Sequence, residues 1–310
     1  MPEVLPMILT DPAAFLAEFS PERYPLRGAA TARGAFLVSP ASDTLAAESA
    51  TDNRYMDLSR APDAARALRQ HVELARRLGA DVPVMIFPGW PDCPDGMFPN
   101  NIFATTPGNL LIGRMRHPVR QREAARDDIR GFFRNVLGYR EIDLTQGQFV
   151  AELTGALCID RARGVGYCGL SERCDLAGAR AMHEAFGLRL TFAFNLAAGE
   201  YHTNVVLAIL AGRAAMIADD GFADAAVPEA IARAYAGNAV RLRPAQKQAF
   251  AGNAITLAPD RVWMSAVAAA ALEPWQRAML ERSGFAIGDV DLEEIEKAGG
   301  SLRCCVAEIF

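Results

Sequence analysis

Lysine is scarce in this sequence of 310 residues. Arginine and lysine together number 32, yet only Lys247 and Lys297 are lysines, and both lie in polar segments typical of an exposed surface. Enzymes that form a Schiff base, including those that use pyridoxal phosphate, need a lysine amine activated by burial or by charged neighbours. The sequence therefore argues against this class of enzyme.

Paired cysteines are also missing. The sequence has no C-x-x-C motif and no cysteine and histidine spacing of a zinc site, so it predicts no bound metal. Scattered thiols in a chain of this length are typical of a reducing compartment, and we therefore expect a cytoplasmic protein. The six cysteines are Cys93, Cys158, Cys168, Cys174, Cys304 and Cys305.

Long apolar runs and basic clusters are absent from the sequence as well. No stretch approaches the roughly twenty apolar residues of a membrane helix. The first residues, MPEVLP, lack the basic region and apolar run of a signal peptide. The net charge is −5, and no basic cluster is interleaved with aromatic residues. We therefore expect neither a membrane nor a nucleic-acid partner.

What the sequence does contain is a globular composition and an internal period. Hydrophobic residues make up 51% of the chain, enough to bury a large core. Steps of about 50 residues back from Cys304 each lead to a polar residue before an apolar stretch, a period typical of repeats whose equivalent positions meet at one axis. We therefore expect one domain over residues 1–310. The residues reached are Asn253, His202, Glu152 and Asn101.

Apolar stretches and turn residues follow a regular order: two short strands, a helix and a single strand. This order predicts an α/β fold of five ββαβ-like modules around a pseudo-fivefold axis, which is a five-bladed propeller. Segment 301–310 would form one arm of the last hairpin and segment 35–39 the other, so the first and last strands would close the ring. Closure removes free sheet edges that invite aggregation. The predicted helices span 63–78, 121–137, 176–186, 228–236 and 273–282.

Cys304 is the candidate nucleophile. It follows the glycines at 299 and 300, where a backbone can approach a ligand closely, and it falls in the same period as His202 and Glu152. Its neighbour Cys305 is the rival candidate. Adjacent side chains of a strand point in opposite directions, so only one of the two thiols would face the axis, and the period selects Cys304.

His202 is the candidate general acid and base. Its side chain can exchange a proton near neutral pH, and the other three histidines lie outside the period, in helical or loop segments. Glu152 begins an otherwise apolar hairpin, where an inward carboxylate would orient the histidine and hold a cationic substrate. Cysteine, histidine and a carboxylate also serve proteases and acyl transferases, so these three residues do not define the substrate.

Two polar loops supply candidates for substrate binding. Asp95, Asn100 and Asn101 place one carboxylate and two amides in a single loop before a strand. Arg173 follows another hairpin, where its guanidinium could form a fork of hydrogen bonds to a carboxylate. Each of these residues could also stabilise a turn, and neither role is favoured by the residue alone.

The polar segment 42–60 is either a surface connection or a lid over a site, because long loops in compact domains are often functional. It contains Asn53, a further candidate for substrate binding, and Tyr55. Asn253, one of the residues in the fifty-residue period, is the last such candidate.

Six short motifs, in order along nearly the whole chain, resemble those of the pentein superfamily, which groups amidinotransferases with arginine deiminase-related enzymes. Within it, the sequence is most similar to citrulline-utilisation hydrolases and arginine dihydrolases, and more distantly to dimethylarginine dimethylaminohydrolases. The resemblance implies a five-bladed α/β propeller that uses no metal or organic cofactor. The motifs are FPNN at 98–101, ELTG at 152–155, GLSER at 169–173, YHTN at 201–204, GN at 252–253 and GGSLRC at 299–304.

Carried over residue by residue, the resemblance implies a covalent mechanism. Cys304 would attack the trigonal carbon of a guanidinium or ureido group. His202 would protonate the departing nitrogen and then activate water, while Glu152 would bind a substrate nitrogen. Asp95 matches a substrate-binding aspartate, and Arg173 matches an arginine that holds the α-carboxylate of an amino acid.

Asn101 stands where the dimethylarginine hydrolases carry a second acid. An amide both donates and accepts hydrogen bonds, so it tolerates a neutral ureido group where a carboxylate favours a cation. This difference motivates the hypothesis that the protein binds citrulline, as its substrate or as an intermediate between arginine and ornithine. Tyr55 and Met56 stand where related hydrolases often carry an aromatic–glutamine pair, which leaves the binding of the substrate's far end open.

The sequence therefore predicts a cofactor-free hydrolase that acts on C–N bonds of a small guanidino or ureido amino acid. An amidinotransferase shares the covalent step but passes the amidino group to an amine, and a dimethylarginine dimethylaminohydrolase is another alternative. A binding protein without turnover is disfavoured because a nucleophile, a base and an acid are all present. A cysteine peptidase is disfavoured by the motifs. The oligomeric state stays open, with a homodimer as one option.

Overall fold

The computed structural model describes residues 6–42 and 44–310. Outside those ranges lie residues 1–5 and Asp43 of segment 42–60. The expectation that there is no signal peptide rests mostly on residues 1–5. Within the described ranges, no helix is long and apolar enough to cross a membrane.

Five small sheets are the main feature of the fold, and we number them as blades 1 to 5 in the chain order of their middle strands. In each blade the first and middle strands are antiparallel, and the middle and last strands are parallel. Strand Met7–Leu9 adds to the edge of blade 3. From first to last, the strands are Ala307–Ile309, Gly34–Val38 and Val84–Phe87 in blade 1; Phe103–Thr106, Asn109–Ile112 and Arg140–Asp143 in blade 2; Leu157–Asp160, Val165–Leu170 and Leu190–Asn195 in blade 3; Leu207–Leu210, Ala214–Ala218 and Ala239–Leu242 in blade 4; and Ile255–Ala258, Arg261–Ser265 and Ala286–Val290 in blade 5.

A helix joins the two parallel strands of every blade. Aspartate side chains cap two of these helices: Asp63 accepts a hydrogen bond from the Arg66 backbone N–H at 2.9 Å, and Asp175 accepts one from Gly178 at 2.7 Å. In blade 1 to blade 5 order, the joining helices are Ala64–Leu78, Asp127–Asn135, Leu176–Ala185, Ala226–Ala234 and Pro274–Arg282. The shorter helices are Pro12–Glu18, Ala47–Ala50, Pro118–Gln121, Leu153–Ala156, Thr203–Val206, Pro244–Gln248, Ala266–Ala271, Glu293–Glu296 and Leu302–Cys305, with 3-10 turns at Pro99–Asn101, Arg122–Ala125 and Asp219–Gly221.

The predicted helices agree with these elements except in blade 2. There, the single helix predicted over 121–137 is divided into short turns followed by Asp127–Asn135. Arg126 has an extended ψ of 89°, which interrupts the helical hydrogen bonds between the two parts. The arginine-rich stretch before Asp127 therefore forms separate short turns that do not continue into the helix.

The last strand of the chain closes the ring of blades. Ala307 pairs with Phe36 and Ile309 with Gly34 in antiparallel register, so blade 1 takes its first strand from the C-terminal end. Segments 307–309 and 103–106, the first strands of blades 1 and 2, contact each other. The predicted α/β propeller of five modules and its closing strand pair are confirmed.

The closing strand is shorter than the sequence predicted. Segment 301–310 was expected to be one hairpin arm, but Leu302–Cys305 is a helical turn because the backbone N–H groups of Cys304 and Cys305 both bond to the Ser301 carbonyl, at 3.0 and 3.3 Å. The rule that adjacent strand side chains alternate therefore does not separate the two thiols. Both are buried, and the geometry of the turn decides which one reaches the axis.

Similar helical turns precede the first strands of blades 3 and 4. Glu152 and His202 each stand immediately before such a turn, five residues ahead of the strand. Cys304 instead lies within its turn, three residues ahead of Ala307. The fifty-residue period thus brings the three residues to one region, although Cys304 does not occupy the position equivalent to the other two.

Candidate active site

Six of the nine residues proposed from the sequence line one closed cavity. The cavity has about 10 Å³ of free space, close to the minimum that holds one water molecule. Cys304 and His202 are each only 1% exposed, so both reactive groups are shielded from bulk solvent. The six residues are Cys304, His202, Asp95, Asn101, Arg173 and Asn53.

His202 and Glu152 form a buried hydrogen-bonded pair, with His202 Nε2 2.7 Å from Glu152 Oε2. Burial alone would raise the pKa of Glu152, but Arg173 and His202 lower it well below its usual value. The ionised carboxylate accepts a hydrogen bond, so Nε2 of His202 carries the hydrogen. Burial also lowers the pKa of His202, which leaves a neutral ring whose Nδ1 is free to take a proton.

Nδ1 of His202 has no hydrogen-bond partner among residues 6–42 and 44–310. It lies against Gly155, where an added Cβ would stand 2.8 Å from this nitrogen and 2.5 Å from Asn101 Oδ1. Glycine at this position therefore allows the imidazole and the amide to approach the same point. The proton-accepting nitrogen thus lies near the amide of Asn101, one of the groups proposed to bind substrate.

Asn253 lies beneath Cys304. Its Nδ2 donates to Cys304 Sγ at 3.3 Å and to the Asn204 carbonyl at 2.9 Å, and its Oδ1 accepts from the Arg303 backbone N–H at 2.9 Å. The sequence analysis expected Asn253 to bind substrate, but these bonds place it behind the thiol instead of along the cavity. Burial raises the pKa of Cys304, and the Asn253 N–H opposes that effect by donating to the sulfur.

Two residues of the cavity wall each have an acceptor oxygen without a partner in the described part of the chain. Asp95 Oδ2 accepts from the Ser49 hydroxyl, whereas Asp95 Oδ1 and Asn101 Oδ1 have no hydrogen bond there. Burial raises the pKa of Asp95. A buried acceptor without a partner costs free energy, so this pair of oxygens suits a ligand that donates N–H groups.

Asn100 is the third predicted residue outside the cavity lining, together with Glu152 and Asn253. It is fully buried, and its Nδ2 lies 3.4 Å from Thr154 Oγ1. Thr154 Oγ1 in turn donates to the Asn100 carbonyl at 3.0 Å. These contacts join the turn that carries Asn101 to the turn that follows Glu152, so Asn100 supports the site from behind, which differs from its expected substrate contact.

Arg173 lines the cavity, but its guanidinium contacts carboxylates of the protein. Nη1 lies 3.2 Å from Glu152 Oε2, and Nε lies 2.9 Å from Asp52 Oδ1. Asp52 was not among the residues proposed from the sequence. It belongs to segment 42–60, and nothing in its local sequence distinguishes it from a turn residue.

Arg120 is a second residue that the sequence analysis missed. It lines the cavity, is 2% exposed, and donates to Glu123 at 2.9 Å and to the Phe98 carbonyl at 3.0 Å. Burial raises the pKa of Glu123 to about 7, although Arg120 opposes this effect. Arg120 is one of several arginines in segment 114–122, and their spacing gives no signal that selects it.

A larger cavity of about 40 Å³ lies on the other side of the Cys304 turn, but its polar side chains are less suited to catalysis. Its Arg303 and Glu308 pair with each other at 2.9 Å. Its thiol, Cys158, donates to the Leu207 carbonyl, and burial raises the pKa of that thiol to about 12. Over the described ranges, no group of three or more histidine, cysteine or acidic side chains could hold a metal ion.

Five ββαβ blades with a cysteine, a histidine and a glutamate near the axis define a protein of the pentein class. A family model described as N,N dimethylarginine dimethylhydrolase, eukaryotic, matches residues 39–310, and the chain belongs to that family. It is accordingly a hydrolase of C–N bonds other than peptide bonds. No curated protein sequence matches the chain.

Solved structures share the fold at low sequence identity. The N-terminal domain of a substrate-bound mutant of ArgZ, an arginine dihydrolase of the ornithine-ammonia cycle in Cyanobacteria, has a TM-score of 0.77 at 19% identity over 89% of this chain and 97% of that domain. Full-length apo ArgZ has a TM-score of 0.78 at 20% identity, covering 89% of this chain and 40% of ArgZ. A dimethylarginine dimethylaminohydrolase variant in adduct with S-methyl-L-thiocitrulline has a TM-score of 0.69 at 22% identity over 90% and 100% of the two chains.

Proposed function

We propose that this protein hydrolyses a C–N bond of a guanidino or ureido amino acid, without a cofactor, through a covalent intermediate on Cys304. One observation carries the proposal: Cys304 and His202, whose Nδ1 has no partner among the described residues, line the same cavity as Asp95 and Asn101, each of which has an oxygen without a partner there. Guanidino and ureido groups donate several N–H bonds from one plane, which suits two buried acceptors beside a nucleophile and a base.

In the first step, the sulfur of Cys304 bonds to the trigonal carbon of the substrate. The thiol proton passes to His202 Nδ1, and His202 then gives a proton to the departing nitrogen as its C–N bond breaks. The nitrogen leaves as ammonia or an amine, and the carbon stays bound to sulfur. Glu152 stabilises the imidazolium that exists between these proton transfers, because its carboxylate bonds to Nε2 of the same ring.

In the second step, water attacks the carbon of the covalent intermediate. His202 Nδ1 accepts a proton from the water as the new C–O bond forms, and it passes this proton to the sulfur as the C–S bond breaks, so Cys304 recovers its thiol. Shielding of the cavity favours this sequence because it keeps stray water away from the first step. In each half-reaction, therefore, His202 first accepts a proton and then donates it.

Citrulline or arginine is the substrate that the site supports best. Asn101 presents an amide, which can bind either a neutral ureido group or a cationic guanidinium. Asp95 adds one carboxylate, whose raised pKa reflects a buried charge that a cationic substrate would stabilise. A fold neighbour is an arginine dihydrolase, which supports substrates of this kind.

Dimethylarginine is the second candidate substrate. The match of the dimethylarginine dimethylhydrolase family model over residues 39–310 favours it. The covalent step would be the same, with dimethylamine as the departing group. The difference between the two candidates lies in the room around that nitrogen and in the amide of Asn101.

A panel of arginine, citrulline, dimethylarginine and acylated arginine tests the proposal. We expect release of ammonia or an amine from at least one compound, and a rapidly quenched sample should gain the mass of the bound carbon fragment on the peptide that contains Cys304. Glycine or ornithine is added in parallel reactions. A new guanidino product that forms only with the added amine would replace hydrolysis by amidino transfer, and no turnover of any compound would reject the proposal.

A further inference from the structure

The part of segment 42–60 beyond residue 43 covers the cavity. Ser49 and Asn53 line it, and Asn53 Nδ2 donates to the Gly299 carbonyl at 3.2 Å. Met56 forms an isolated β-bridge with Ala298 at the same rim. The space is close to that of one water molecule, so an amino acid can bind only when part of the cavity wall moves.

Asp52 connects the segment to Arg173. Asp52 Oδ1 accepts from Nε of Arg173 at 2.9 Å and from Nη2 at 2.5 Å. Nη2 also donates to the Ser49 carbonyl at 3.1 Å, and Nη1 contacts the two oxygens of Glu152 at 3.2 and 3.5 Å. A guanidinium has five N–H donors, so protein oxygens occupy the whole hydrogen-bonding capacity of Arg173.

The second oxygen of Asp52 is equally surrounded by basic groups. Asp52 Oδ2 lies 3.2 Å from Arg116 Nε and 3.0 Å from His117 Nε2. Burial alone would raise the pKa of Asp52, but Arg173 lowers it, so the carboxylate is ionised. Three basic side chains around one carboxylate, with a fork from Arg173, form the arrangement by which proteins bind the carboxylate of a small molecule.

We propose that Asp52 stands in for the substrate carboxylate: it occupies Arg173 in the ligand-free enzyme, and the carboxylate of the substrate replaces it during binding. The inference rests on the proposed function, since it requires an amino acid as the ligand. Asp52 then determines specificity. Every substrate with a carboxylate must break the bond between Asp52 and Arg173, whereas a compound that lacks this group gains nothing from breaking it.

Binding to the full chain with Cys304→Ala tests this role without turnover. The probes are L-citrulline and N-carbamoylputrescine, which lacks the α-carboxylate, with L-arginine and agmatine as the cationic pair. Asp52→Asn keeps the size of the side chain but weakens its bond to Arg173. We expect it to lower the Kd of L-citrulline on the order of tenfold and to leave that of N-carbamoylputrescine nearly unchanged.

Glu48→Gln is the matched control because it removes one negative charge from the same segment. Glu48 accepts from the Val119 backbone N–H at 3.1 Å and does not contact Arg173, so both Kd values should stay at those of the Cys304→Ala protein. Equal shifts of the two ligands in Asp52→Asn, or weaker binding of L-citrulline, would overturn the inference. Asp52 would then only support Arg173.

Hydrogen exchange in the protein that retains Asp52 provides a second measurement. It gives a result even if the Asp52→Asn variant fails to fold. L-Citrulline should change amide exchange in segment 44–60, and N-carbamoylputrescine should not; identical exchange with the two ligands would also overturn the inference. Failure of all four probes to bind would reject the proposed function and the role of Asp52 together. Binding without a change in discrimination would reject the role of Asp52 alone.

Discussion

Two buried clusters of charged side chains lie in this protein, and they differ in how completely they are paired. The site cluster contains Asp52, Asp95, Glu152, Arg173 and His202. The support cluster contains Tyr55, Glu200, Asp220 and Lys247. Apart from Asp220, whose side chain is 41% exposed, both clusters hold carboxylates and cations in positions with little exposure to solvent. Their comparison separates charge that stabilises the fold from charge that is arranged for a ligand.

In the support cluster, charged groups pair with each other. Lys247 Nζ lies 2.7 Å from Glu200 Oε1 and 2.8 Å from Asp220 Oδ2, and the Tyr55 hydroxyl donates to Glu200 Oε2 at 2.7 Å. The prediction that Lys247 lies at the surface is wrong, because this residue is only 3% exposed. Glu200 and Asp220 supply the opposite charges that make burial of a lysine tolerable.

The site cluster leaves specific atoms unpaired. Within the ranges that the structure describes, His202 Nδ1, Asp95 Oδ1 and the nearby Asn101 Oδ1 have no partner. Native structures leave few buried polar atoms unsatisfied, and those that occur often mark a functional role. Buried atoms without partners also occur at Gln70 and His71, so incomplete pairing indicates a ligand site only where it coincides with a cavity lined by reactive groups, as it does in the candidate active site.

The largest expected effect comes from the two adjacent thiols. Cys304→Ala should lower kcat roughly 10⁴-fold or more, because loss of a nucleophile removes the covalent route. Cys305→Ala is the matched control, since this thiol is fully buried in the same turn but does not line the cavity. It should lower thermal stability and keep kcat near that of the unmodified enzyme. Equal loss of kcat in both variants would show that the turn, and not the Cys304 thiol, is what activity requires.

A pair of glutamate variants tests the two clusters against each other. Glu152→Gln should lower kcat on the order of 10³-fold, because the amide no longer holds His202 in the tautomer with a free Nδ1. Glu200→Gln makes the same chemical change in the support cluster. It should reduce the free energy of unfolding by about 3 kcal/mol, with little change in kcat at temperatures where the protein is folded.

Steady-state kinetics and denaturant unfolding of both proteins provide the measurements. The assignment of the support cluster to stability is wrong if folded Glu200→Gln loses as much activity as Glu152→Gln. The comparison is sharpened if a double-mutant cycle of Glu152 and His202 shows strongly non-additive losses of kcat, as expected for two groups that act as a unit.

The sequence predicts the fold well because the repeat gives a regular order of apolar stretches and turns. Each blade has an apolar hairpin, a helix and a single strand, so the ring and its closing pair could be predicted from 35–39 and 301–310. The period also brings Cys304, His202 and Glu152 to one region. The fifty-residue period does not reveal the helical turn that follows Ser301, because four helical residues are too few to show a helical period.

Side-chain pairing is the part that could not be predicted. Asn253 and Asn100 are the same type of residue as Asn101 and also precede strands, yet of these three only Asn101 lines the cavity. Asp52 reaches Arg173 across 121 residues of sequence, and Arg120 is one of several arginines in its segment. Such contacts depend on the relative placement of blades, which local sequence patterns do not encode.

The pH dependence of activity should follow the neutral state of the site. Burial raises the pKa of Cys304 above its ordinary value of about 9 and lowers that of His202 below 6.5, so both groups are neutral at pH 7. In the proposed first step the neutral thiol gives its proton to neutral His202, so kcat/KM for a neutral ureido substrate should be nearly constant between pH 7 and 9. It should fall, by up to roughly tenfold per pH unit, once His202 is protonated at pH values below 6.5. A tenfold rise per pH unit between pH 7 and 9 would mean that a thiolate formed without His202 is the reacting species, and thermal unfolding across the range provides the control.

The smallest expected effect concerns selectivity between guanidino and ureido compounds. Asn101→Asp places a second carboxylate beside Asp95, and this charge attracts a guanidinium cation but repels the carbonyl oxygen of a ureido group. The ratio of kcat/KM for arginine to that for citrulline should rise on the order of tenfold, the change that about 1.4 kcal/mol of differential binding produces. Measuring both substrates on one preparation cancels differences in the fraction of active enzyme. If the ratio is unchanged while both values fall, the free oxygen of Asn101 supports His202 instead of contacting the substrate, and Asp95 alone would be left to recognise the reacting group.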